Sequence, residues 1–89
     1  KADEALALGL VNRVVEPDAL MPTVTELAEE IASKSPHAVA ISKRAINRGL
    51  QSDIDTGIAI ENDLFSNAFA HPEQCEGMSA FLEKRKPQF

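Results

Sequence analysis

Tryptophan and tyrosine are absent from this 89-residue sequence, which also holds a single cysteine, four glycines and five prolines. Nine Lys+Arg stand against fourteen Asp+Glu, for a net charge of −5. Such a chain lacks the basic footprint and the stacking aromatics that a nucleic-acid partner requires. Cys75 has no second cysteine to pair with, so the fold is not stapled and carries no secretory cysteine framework. No apolar run approaches the roughly 20 residues of a bilayer span, and nothing at the start resembles a signal peptide. A cytoplasmic protein without a membrane or nucleic-acid partner is therefore expected. Four scattered glycines cannot build a phosphate-cradling loop. Repeats, low-complexity stretches and Gly/Ser/Pro linkers are missing too.

Hydrophobic residues make up 44% and charged residues 26% of the chain, the composition of an ordinary globular domain. The length allows one domain with a modest core, because a chain this short hides only roughly 60% of its unfolded surface. Charge comes in blocks. Residues 1–32 carry a net −5, residues 33–49 +4, residues 50–76 −6 and residues 77–89 +2. Alternating blocks of this kind suit neighbouring helices that complement one another, each exposed pair worth about 0–1 kcal/mol.

Periodicity and punctuation predict five helices. Residues 3–9 begin with acids, which favour the positive end of a helix dipole, and stop at Gly9. Residues 18–34 start at Asp18 as N-cap, with Pro22 in the first turn, and place Leu20, Val24, Leu27 and Ile31 on one stripe. Residues 36–48 open on Ser35-Pro36 and end at Gly49. Their buried side is expected to hold Val39, Ile46 and Leu50 with Ala38, Ile41 and Ala45. Residues 53–70 align Ile54, Ile58, Phe65 and Phe69, flanked by Leu64 and Ala68. Residues 72–85 start at Pro72 and are expected to bury Cys75, Met78, Phe81 and Leu82. Between the first two helices, β-branched residues 10–15 read as a short strand bounded by Gly9 and Pro17. A lone strand has no ladder partner. It is either an extended connector or one edge of a sheet outside this sequence, and the second option agrees with a chain that opens at Lys1 without Met.

Groups able to carry chemistry are few. His37 and His71 lie near helix starts, 34 positions apart, with no Cys or acid at metal-ligand spacing, so no metal site is expected. Cys75, on the apolar side of its helix and without a neighbouring base, reads as a buried structural thiol. Glu61 falls on the apolar stripe of its helix. A general acid or base and a carboxylate tied to an Arg or backbone N–H are the two readings open to it. Phe65 sits where that stripe meets the final third of the chain, at a rim. Lys84 belongs to a basic cluster, Glu83-Lys84-Arg85-Lys86-Pro87, where the dipole of the last helix already favours cations. By spacing alone it is either a solvated cap or an anion ligand.

The ending, Glu76-Gly77-Met78-Ser79-Ala80-Phe81-Leu82-Glu83-Lys84-Arg85-Lys86-Pro87-Gln88-Phe89, resembles the C-terminus of the crotonase (enoyl-CoA hydratase) superfamily. The opening segment from Ala2 to Val15 resembles the helix-then-strand stretch that follows that family's catalytic core. Ser35-Pro36 with Lys43 matches the next landmark. The landmarks keep the family's order and spacing over all 89 residues, and the ending is most similar to true hydratases, short-chain 3-hydroxybutyryl-CoA dehydratases among them. His71-Pro72 departs from the family's more usual Thr-Asp or Thr-Glu, which alters the cap of the last helix.

The resemblance implies that residues 1–89 form the all-α, C-terminal helical and trimerising part of a crotonase fold, about five helices and one extended segment, without the α/β spiral core. It implies a parent that adds water reversibly to trans-2-enoyl-CoA, as in fatty-acid or short-chain acyl-CoA metabolism, and that assembles as a homotrimer or a hexamer of two trimers. The oxyanion hole and the two catalytic glutamates of the family belong to its core, so no catalytic residue is carried over to this chain, and the chain alone is expected to be inactive. Two CoA-binding positions do carry over: Phe65, against the adenine, and Lys84, at the 3′-phosphate. No cofactor or metal is implied, since CoA arrives as part of the substrate. The alternatives are the corresponding part of a superfamily isomerase or hydrolase, and a free-standing helical interaction module.

Overall fold

A computed structural model describes residues 1–89. Five α-helices run in order: α1 (Ala2–Ala7), α2 (Leu20–Ala32), α3 (Pro36–Leu50), α4 (Ile54–Ala70) and α5 (Pro72–Leu82). The chain forms two units, residues 1–30 and residues 31–89.

In the first unit, α1 carries Asp3 and Glu4 in its first turn and ends as the glycine predicts. Gly9 adopts φ 77°. Its N–H donates to the Leu6 carbonyl at 3.1 Å, and the Leu10 N–H donates to Ala5 at 2.9 Å. This is a Schellman closure, which needs a left-handed residue at the turn. Residues 10–15 contain no strand. Their β-branched composition is a preference for a paired, half-buried surface rather than a backbone rule, and the chain supplies no second strand to pair with. The expected start at Asp18 is also corrected. Glu16 is the cap, Pro17 takes the first position of a 3-10 turn over Pro17–Ala19, and α2 continues from it.

In the second unit, α3 and α4 form an antiparallel hairpin through the short turn at residues 51–53. Ser35 caps α3, its Oγ accepting from the Ala38 N–H at 3.0 Å, and Pro36 occupies the first turn. Asp53 caps α4 in the same way through the Thr56 N–H at 3.2 Å. The two helices meet closely at a glycine pair: a Cβ on Gly57 would lie 3.6 Å from both the Cα and the carbonyl oxygen of Gly49. The hydrophobic core is small, consisting of Ile41, Leu64 and Ala80, with Ser35 the one buried polar residue.

The apolar stripes are where the sequence expectations and the structure part. Leu64, expected to flank the α4 stripe, is its buried member at 6% exposure, whereas Ile54, Ile58, Phe65 and Phe69 are exposed. Val39, Ile46 and Leu50 of α3 and Leu20, Val24, Leu27 and Ile31 of α2 are likewise exposed. On α5, Cys75, Met78, Phe81 and Leu82 face water, and Ala80 is the residue that is buried, at 1% exposure. Periodicity reports that a helix has an apolar face; it does not report whether the same chain covers it. Here most of those faces are left open.

Candidate functional site

The tail that follows α5 is held by several side-chain bonds. The helix ends at Leu82, three residues before the predicted stop, because Lys84 reverses the backbone at φ 54°. The Lys84 N–H donates to Phe81 at 3.3 Å and the Arg85 N–H to Ala80 at 3.0 Å. This repeats the Schellman closure seen at Gly9, but with a lysine in the left-handed position where glycine is the usual occupant. Lys84 is the one non-glycine residue of the chain with a positive φ.

Arg85 ties the tail down. Its Nη1 and Nη2 donate to Glu76 Oε1 and Oε2 at 2.6 and 3.1 Å, a two-pronged pair, and its Nε donates to Glu83 Oε2 at 2.6 Å. Glu76 Oε1 also accepts from the Gln88 N–H at 2.9 Å. These donors hold the Glu76 carboxyl down to about 2, the Arg85 guanidinium contributing most and the Gln88 N–H next. Farther along, the Phe89 ring lies over Gly77, its Cζ 3.8 Å from where a Cβ would stand. Of the three successive cations 84–86, Arg85 is matched by two carboxylates, while Lys84 and Lys86 form no ion pair.

Phe89 reaches a cavity of about 240 Å³ that it lines together with Phe65, Phe69, His37, His71 and Glu73. Phe65 is 66% exposed, at a rim as expected, and its ring meets Phe69 with centroids 6.2 Å apart and a 35° tilt. No hydrogen bond, ion pair or ring contact joins Phe65 to Lys84; the tail that carries Lys84 ends at the cavity that Phe65 lines.

The far wall of that cavity is a polar junction where two helix N-termini meet. Glu73, in the first turn of α5, accepts from the Ser35 hydroxyl and from the His37 N–H at 3.3 Å, so it closes the start of α3 as well as favouring its own helix dipole. Those bonds lower its pKa, the Ser35 hydroxyl contributing most. His71 caps α5, its Nδ1 accepting from the Glu73 N–H at 3.3 Å, and its ring stacks on His37 with centroids 3.9 Å apart and 14° between planes. His71-Pro72 therefore retains a capped start without the Thr hydroxyl. Glu73 Oε2 stands 4.0 Å from His71 Nδ1, but the two histidines and this carboxylate are not arranged as a group that could hold a metal ion.

The remaining candidates change character. Cys75 is exposed, not a buried thiol, with Sγ 3.4 Å from Gln74 Oε1. Glu61 is exposed at the edge of an apolar groove lined by Ile46, Leu50, Ile54 and Ile58. Within this chain it forms no side-chain hydrogen bond or ion pair. The sequence reading missed the Glu76–Arg85 pair and the His37–His71 stack. The residues of the first lie within the quoted ending, but a partner nine positions away is invisible to helix spacing once the helix stops early. The second had one trace, a proline next to each histidine, marking two helix starts.

A family model described as Enoyl-CoA hydratase/isomerase matches residues 1–89. The short-chain-enoyl-CoA hydratase of Clostridium acetobutylicum is 56% identical over 86 residues, which is 97% of this chain and 33% of that protein. The crotonyl-CoA hydratase of Syntrophomonas wolfei is 53% identical over 88 residues, 99% of this chain and 34% of its own length. Among solved structures, an enoyl-CoA hydratase from Bacillus anthracis superposes with a TM-score of 0.95 at 40% identity, over 99% of this chain and 34% of the other. One from Geobacillus kaustophilus gives 0.93 at 43%, over 100% and 35%. The chain spans about a third of the length of the relatives it matches.

Proposed function

Because the chain belongs to the enoyl-CoA hydratase/isomerase family, we propose that it is the C-terminal helical part of an enoyl-CoA hydratase that adds water reversibly to short-chain trans-2-enoyl-CoA thioesters. The observation that carries the reaction class is the 56% identity, across nearly the whole chain, to a short-chain-enoyl-CoA hydratase. The chemical step belongs to the part of the parent that builds the oxyanion hole and supplies the catalytic carboxylates, where developing enolate charge is stabilised. This segment contributes binding. Phe65 offers an exposed ring to the adenine of CoA, and Lys84 a compact ammonium to the 3′-phosphate. CoA enters as part of the substrate.

The open apolar faces of α2, α3, α4 and α5 support the second half of the reading, in which this segment packs on its own core and on sister subunits of a homotrimer or a hexamer of two trimers. Exposed apolar faces in this number suit an interface. The test is the loss of enoyl-thioester absorbance with crotonyl-CoA, measured on the intact parent polypeptide and on the 89-residue chain. Hydration to 3-hydroxybutyryl-CoA by the parent and none by the isolated chain is expected. Turnover by the isolated chain, or a parent that shifts the double bond without adding water, would refute the proposal.

A further inference from the structure

Three features of the tail are unexplained by ligand binding alone. A lysine occupies a backbone position that favours glycine. The arginine next to it donates from each of its three guanidinium nitrogens to two carboxylates of the same chain. The last ring of the chain is seated on a glycine of α5. A left-handed non-glycine residue persists only where its surroundings over-determine it, and such residues gather at binding sites. The surroundings here are visible: Glu76 holds the Arg85 side chain and the Gln88 backbone N–H, just beyond Lys84, while the backbone bonds to Phe81 and Ala80 fasten the turn on the helix side.

We propose that the Glu76–Arg85 fork, closed by Phe89 over Gly77, is a clasp that holds Lys84 in its left-handed conformation and so fixes its ammonium for the phosphate end of the CoA thioester. Glu76 and Arg85 are thus positioning residues acting through Lys84. The inference rests on Lys84 being a CoA ligand. It explains why the middle cation of the cluster is neutralised within the chain: Arg85 is the anchor, and Lys84 is left as the free charge. A two-pronged guanidinium–carboxylate pair sets a direction that a single contact cannot, so Arg85→Lys keeps the charge and loses the alignment.

The experiment is a double-mutant cycle in the intact parent enzyme, read as KM and kcat for crotonyl-CoA, with Glu76→Gln, Lys84→Ala and their combination. Glu76→Gln is expected to raise KM several-fold with kcat unchanged, and the double variant to be no worse than Lys84→Ala. Arg85→Lys and Phe89→Ala provide the same reading should Glu76→Gln fail to fold, and each is expected to raise KM only where Lys84 is present. If Lys84→Ala raises KM and none of the clasp variants does, the clasp is refuted while the CoA-ligand reading stands. If Glu76→Gln and Lys84→Ala add, Glu76 acts independently of Lys84 and the positioning role is overturned. If Lys84→Ala leaves KM unchanged, both the ligand reading and the clasp fall.

Discussion

Replacing Lys84 by glycine separates what the backbone wants at this position from what the side chain does. At φ 54° an L-residue with a Cβ bears a penalty of about 1–2 kcal/mol. Glycine removes it but adds freedom to the unfolded chain that costs about 0.4–1 kcal/mol. The balance favours the variant by about 0–1.6 kcal/mol. The side-chain effect has the opposite sign. A hydrogen bond to a charged group contributes about 1.5–3 kcal/mol, so binding of a CoA ester should weaken about ten- to a hundred-fold. The assay pairs urea unfolding, followed by far-UV circular dichroism, with KM for crotonyl-CoA in the parent enzyme. Higher stability together with higher KM and an unchanged kcat is the expected result, since contacts remote from the reacting carbons bind ground and transition state alike. A variant that is less stable than the parent would refute the strain argument. One that is more stable with KM unchanged would refute the ligand argument.

The Glu76 carboxyl sits at about 2 in the folded chain against an ordinary 4.5. Its contribution to the tail is therefore complete above pH 4.5 and is lost as pH falls through about 2; the Gln88 amide resonance, which reports the bond to Glu76, should titrate near 2, and a midpoint at 4.5 would contradict the clasp geometry. Ser35→Ala removes the cap of α3 and one of the donors to Glu73, and should lower stability by about 0.5–2 kcal/mol; a loss under a few tenths of a kcal/mol in urea unfolding would show that the junction does not hold α3. The isolated chain, with Ile46, Leu50, Ile54 and Phe81 exposed, should sediment as associated species whose size grows with concentration; a strictly monomeric, highly stable chain would count against open faces meant for other surfaces.

Two helix starts and one end were legible because they depend on local chemistry: Ser35-Pro36 and Pro72 mark the starts of α3 and α5, and Gly9 the end of α1. What depends on tertiary context was not. The β-branched run at 10–15 had no partner to make it a strand. The stripe of Ile54, Ile58, Phe65 and Phe69 was visible as a face, but its exposure follows from which neighbours exist, and the hairpin with α3 covers Leu64 instead. At the site, Phe65 and Lys84 came from the resemblance. The reason Lys84 stands out in the structure, its reversed backbone, was hidden because a Lys in a Glu-Lys-Arg run reads as one more helical residue. Glu76 and Arg85 lie in the family-like ending, but their pairing is not visible in it, since only the early end of α5 brings them together.

The central claim, that this segment grips the phosphate end of a CoA thioester through Lys84, is tested most directly with two substrates. KM is measured in the intact parent enzyme for crotonyl-CoA and for its dephospho-CoA analogue, with and without Lys84→Ala. The substitution should raise KM about ten- to a hundred-fold on the normal ester, and have little effect on the analogue that lacks the 3′-phosphate. Rising salt should narrow the gap between wild type and variant, because a contact at an exposed rim is screened. An equal penalty on both substrates, or a fall in kcat alone, would contradict the claim and leave Lys84 as a structural turn residue.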